Sequence, residues 1–159
     1  DYTQALHAYT QALDISRGLK DKASESIVLD NISRVYLAQG RPETALEYAE
    51  QGLVLVQQIG DLQGLGTTLN NIGTTYQAQG DTKAALSYFT QALDLAKEIG
   101  DKAGEATRNW NIGRLYQGQG EFRQAEPYLH RAVELAEYLQ HPSSEKYQQA
   151  LEEVQAKLQ

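Results

Sequence analysis

"LNNIGTTYQAQGD", residues 69–81, decides the reading, because the chain says nearly the same thing forty residues to either side. Residues 29–41 read "LDNISRVYLAQGR" and residues 109–121 read "NWNIGRLYQGQGE". The phase extends well beyond these stretches. Tyr36, Tyr76 and Tyr116 are forty apart, and so are Ile32, Ile72 and Ile112, and Gly40, Gly80 and Gly120. Ala45, Ala85 and Ala125 keep the same interval, as do Asp21, Asp61 and Asp101. Self-similarity at a fixed period of this size marks a repeat architecture in which each unit is one supersecondary element.

Each unit reads as two helices. Strand-like alternation is absent, and the apolar residues Ala85, Leu86, Phe89, Ala92, Leu93, Ala96 and Ile99 share one helical face. Asp21, Asp61 and Asp101 are short carboxylates suited to capping free N–H groups at a helix start. Gly40, Gly80 and Gly120 then end the first helix, where a left-handed residue costs least. Pro42 falls in the first turn of a second helix, where its missing N–H does no harm. Helices of about 17 residues are roughly 25 Å long. One such pair cannot bury its own apolar stripe, so neighbouring units must stack on it.

On these residues a family resemblance rests. "LNNIGTTY" followed by Ala85, Phe89 and Ala92 resembles the tetratricopeptide repeat, with Gly73 and Gly113 (Ser33 in the earlier unit) at the small position of the first helix. Asn109 stands where that pattern usually has Trp or Leu, the Pro that usually ends each unit is missing, and the period is 40 rather than the family's roughly 34 residues. The longer form is similar to kinesin light chain and Pins-type (Leu-Gly-Asn repeat) adaptors. "EIGDKAGEA" at 98–106 resembles the inter-repeat turn of the latter, and "QAEPYLHRAVEL" at 124–135 the second helix of the former. Pro127 within that helix is expected to kink its first turns. A HEAT array has a comparable period, but its Gly/Ala pattern fits poorly.

The resemblance implies an all-α solenoid of helical hairpins forming a right-handed superhelix. Residues 1–21 match the second helix of a truncated repeat, 22–60, 61–100 and 101–140 are full repeats, and 142–159 form a capping helix started by Ser143 or Ser144. All 159 residues are read as one domain. The chain begins at Asp1 and contains no Met, as expected of a piece of a longer protein or a processed chain. Its opening face of Ala5, Leu6, Tyr9, Ala12 and Leu13 is expected to lack its partner helix and so to favour self-association.

Composition narrows the function. The net charge is −7, and the 14 basic residues are scattered singly, without the basic stripe that nucleic-acid binding leaves. No apolar run approaches the ~20 residues that span a bilayer. Cys is absent, which excludes disulfides and thiolate metal sites and accords with the cytoplasmic location expected here. His7, His130 and His141 form no ligand motif, and "GLGTT" at 64–68 and "GQG" at 118–120 lack the strand and the Lys-Ser/Thr ending of a phosphate loop. Nothing brings a catalytic triad together. The expectation is therefore no enzyme, no cofactor and no metal.

What remains is a polar helix face. In the middle repeat, Asn70, Asn71, Thr74 and Gln77 lie opposite the apolar side at 100° per residue. Asp30, Asn31 and Arg34 share that phase in the preceding unit, and Trp110, Asn111, Arg114 and Gln117 in the next. Asn is a poor helix former, so Asn31, Asn71 and Asn111 carry a small penalty at one phase. An amide presents donor and acceptor together and so matches an extended peptide backbone. The family resemblance implies that first helices line the concave groove and that such Asn residues hold a ligand there. Bonding between adjacent helices explains the same Asn residues as struts. Trp110 adds an aromatic anchor, and Arg34 and Arg114 add cations that favour a partner with acidic character. The expected function is a non-enzymatic adaptor binding a peptide segment of a protein partner. The alternatives are a spacer or self-assembly module of a larger protein, and a peptide-responsive sensor.

Overall fold

A computed structural model describes residues 1–159, and the aspartates of the forty-residue phase cap helices in it. The carboxylates of Asp21, Asp61 and Asp101 accept from the N–H groups of Ser24, Gly64 and Gly104 at 3.1, 2.9 and 2.8 Å. Eight helices result: α1 (Tyr2–Leu19), α2 (Lys22–Ala38), α3 (Pro42–Ile59), α4 (Leu62–Ala78), α5 (Thr82–Glu98), α6 (Lys102–Gly118), α7 (Phe122–Tyr138) and α8 (Ser144–Ala156). There is no strand. The chain turns through the left-handed region at Gly40, Gly60, Gly80, Gly100 and Gly120, and also at Lys20 (φ 56°) and Gln140 (φ 51°). Both helices of each hairpin thus end the same way, so the turn repeats at half the sequence period.

Contacts divide the chain into two compact units, residues 1–88 and 89–159, with the boundary inside α5. In the first unit α1 packs on α2, α2 on α3, and α4 on both α2 and α3. Leu13, Leu29 and Ile32 form its buried cluster, with Leu6, Tyr9, Tyr36 and Tyr48 against it. This corrects the expectation for the opening helix. Leu13 is buried and Leu6 and Tyr9 are half-buried against the α2 residues Leu29 and Ile32, and the large apolar residues left to solvent on α1 are Tyr2, Ile15 and Leu19.

In the second unit α6 packs on α7, and α8 covers α7 with a lighter contact to α6. The small position of the first helix is tight here. A Cβ on Gly113 would lie 2.7 Å from Leu129 Cγ, so only glycine lets α6 and α7 approach this closely. Tyr147, Ala150, Leu151 and Val154 are the buried face of α8. Ser143 precedes that helix without a side-chain cap bond; its N–H instead donates to His141 Nδ1 at 3.1 Å. Pro127 lies inside α7 and is exposed, so the carbonyl it leaves unbonded can be hydrated.

The tyrosines pair across each turn. Tyr36 stacks on Tyr48 at 5.4 Å and Tyr76 on Tyr88 at 5.5 Å in the first unit, and Tyr116 on Tyr128 at 5.8 Å in the second. Each pair joins the two helices of one hairpin.

Candidate functional site

Helical periodicity carries Asp30, Asn31 and Arg34 onto one face of α2, and α4 brings Asn71 alongside them. Together they line a cavity of about 280 Å³, whose wall also includes Ile27, Val56, Asp61 and Thr67. Asp30 anchors it. The buried Thr68 hydroxyl donates to Asp30 Oδ2 at 2.8 Å, tying α4 to α2. Behind the carboxylate stands Gly52 of α3, where an added Cβ would lie 3.3 Å from Asp30 Oδ1.

Burial dominates the electrostatics of Asp30. Loss of hydration pushes its carboxyl up to about 6, against hydrogen bonding from Thr68, the attraction of Arg34 and the neighbouring Asn71 amide. Asn71 lies close enough to favour the charge, yet Asp30 Oδ1 and Asn71 Nδ2 both remain buried outside hydrogen-bond geometry. Both atoms are shut off from solvent, with Asp30 Oδ1 on the Gly52 side of the carboxylate.

The remaining groove candidates are placed differently. The Thr74 hydroxyl turns back to the Asn70 carbonyl at 3.0 Å, and Gln77 is exposed. Asn70 and Asn111 are half-buried. In the second unit Trp110 stacks on Tyr147 of α8 at 4.5 Å, with Arg114 and Lys146 over its ring at 5.5 and 5.1 Å. Arg114 also donates to Gln117 at 2.7 Å and stands 3.9 Å from Glu153, to which Gln117 donates at 3.1 Å. Trp110, Arg114 and Gln117 are thus gathered against α8 within the chain.

Thr68, Gly52 and Tyr147 did not figure among the sequence candidates. Thr68 is buried at a phase where the next repeat has Arg108, so no period announces it. Arg108 is itself buried, which lowers its pKa, and its Nε lacks a partner.

A family model of the tetratricopeptide repeat matches residues 1–58 and 60–137. Among solved structures, BtubC (BKLC) from P. vanneervenii superposes with a TM-score of 0.87 at 20% identity, covering 99% of this chain and 66% of that one. The apo form of RapI gives 0.88 at 21% identity, with 99% and 58% covered. A putative kinesin light chain from Podosopora anserina, with nearly identical TPR-like repeats, gives 0.75 at 19% identity, with 98% and 78% covered. The chain thus spans about two thirds or less of the length of the first two. No curated protein sequence is significantly similar to it. The structural likenesses, at these identities, speak for the fold alone. With matched residues running almost from end to end, the chain belongs to the tetratricopeptide repeat family.

Proposed function

We propose that the chain is a non-enzymatic protein-interaction module that holds a peptide segment of a partner against the α2–α4 face of its first unit. Tetratricopeptide repeats are protein-interaction folds, so a protein partner follows from the family. The observation that carries the finer reading is the polar cluster of Asp30, Asn31, Arg34 and Asn71 on the wall of one cavity. Amides and charges together offer an extended peptide both donors and acceptors. Arg34 is exposed at this cavity and supports a partner with acidic character.

Selection of random peptides by display on the protein tests this reading. Enriched peptides should bind an Asn31→Ala, Asn71→Ala double variant more weakly by about 0.5–1.5 kcal/mol per amide removed. Asn31→Ala alone should melt no lower than the parent, since Ala is the better helix former, whereas Asn71→Ala also removes an amide that favours the Asp30 carboxylate. A lower melting temperature with unchanged binding would make these amides struts between helices.

Self-assembly has one observation of its own in its favour. Ile15 and Leu19, one turn apart on α1, are 63% and 73% exposed.

A further inference from the structure

Asp30 is a carboxylate drawn out of water without a closed ion pair. Its own helix supplies Arg34, which attracts it from a distance, and α4 supplies two neutral groups, the Thr68 hydroxyl and the Asn71 amide. The other charge on the cavity wall is Asp61, which adds a second negative group. From α3 come Val56 on the wall and Gly52 behind the carboxylate, and neither is charged. A carboxylate withdrawn from water and held only by neutral donors is expensive, and a positive donor offsets that cost better than a neutral one.

We propose that this pocket receives a cationic hydrogen-bond donor of the bound peptide, an Arg or Lys side chain or an N-terminal amine, with Asp30 as its counter-ion. The inference rests on the peptide-binding reading given above and names the chemistry read at that site. Ile27 and Val56 offer apolar surface to an aliphatic stem whose charged end reaches the carboxylate. At about 280 Å³ the cavity suits one long side chain, since pockets for whole drug-sized ligands run from roughly 300 to 1,000 Å³. Arg34, exposed beside it, is left for an acidic neighbour on the same peptide.

The test is the same peptide selection, run in parallel on the parent and on Asp30→Asn, with folding of both followed by circular dichroism. Peptides enriched on the parent should share an Arg or Lys at one position, or require a free N-terminus, and Asp30→Asn should lose that preference. A synthesised winner should bind Asp30→Asn at least about tenfold more weakly, as expected for a lost charged hydrogen bond. Replacing its Arg by citrulline should cost a similar factor, and that arm needs no protein variant. Binding to the parent should also fall as the pH drops below about 6, where Asp30 takes up a proton, and this dependence should vanish in Asp30→Asn. Peptides enriched without a basic preference, or bound equally by Asp30→Asn and tolerant of citrulline, would overturn the inference while leaving the groove reading in place. Enrichment of no peptide on either protein would overturn both.

Discussion

Two acids withdrawn from water show how neighbours set the sign of a titration. Glu105 has a side chain only 4% exposed, with Lys102 Nζ at 2.9 Å and Arg131 Nη2 at 3.0 Å. Burial pushes its pKa up, but hydrogen bonds and attraction from these cations outweigh it and hold the carboxyl below its ordinary value. Its contribution to stability is present above the ordinary Glu range and is lost as the pH falls through the depressed pKa. Asp30 behaves oppositely. Its pKa rises from 3.8 to about 6, so between those values the folded chain holds more protons than the unfolded one. Stability therefore falls as the pH rises through that window, and at neutral pH the full penalty, roughly 2–3 kcal/mol, is in place. Asp30→Asn removes the charge and keeps the shape. It should raise stability to urea at neutral pH by up to that amount, and the gain should fade towards pH 4. Equal urea midpoints for the two proteins at both pH values would show that the carboxylate is better hydrated than its surroundings indicate.

At the scale of the helix, ends and close approaches govern. Lys20 and Gln140 occupy the left-handed position that glycine fills at the five intervening turns. A residue with a Cβ pays about 1–2 kcal/mol there, partly offset by glycine's greater freedom in the unfolded chain. Lys20→Gly and Gln140→Gly should each raise the melting temperature, by an increment worth up to about 1 kcal/mol. An unchanged or lower melting temperature would mean that the side chains hold these turns. Gly113 works in the other direction. Its Cβ would lie 2.7 Å from Leu129 Cγ and 3.2 Å from the Leu129 backbone nitrogen, so α6 and α7 would have to separate. Gly113→Ala should therefore destabilise by about 1–3 kcal/mol despite alanine's better helix propensity, as chemical denaturation can measure. The caps and turns behind these helices were legible because Asp and Gly act through their own backbone and the next few residues. Stacking of Tyr36 on Tyr48 was not legible, since a forty-residue period reports recurrence and is silent on which recurring residues meet.

For the molecule as a whole, surface composition sets behaviour in solution. A net charge of −7 opposes association. Against it stands the outer face of α1, where Ile15 and Leu19 are exposed while Leu6, Tyr9 and Leu13 are packed inward. If that face associates, light scattering should report a mass that grows with concentration. Ile15→Lys with Leu19→Lys should abolish the growth without lowering stability, because neither side chain is buried. A concentration-independent monomer mass for the parent would exclude α1 as an interface under those conditions. No helix is long and apolar enough to cross a membrane.

The forty-residue period, the helix starts at Asp21, Asp61 and Asp101, the left-handed glycines and the tetratricopeptide identity were all determined by the sequence. Each depends on residues a few positions apart or on simple recurrence, and both are visible in one dimension. The polar face of α2 was also legible, through Asp30, Asn31 and Arg34. Tertiary structure alone decided that Thr68, 38 positions on, donates to Asp30. It also decided that Gly52 makes room for the carboxylate and that Tyr147 covers the ring of Trp110. Those outcomes arise where helices distant in sequence press together. There, burial changes what a charge costs, and the cost depends on every neighbour that displaces water.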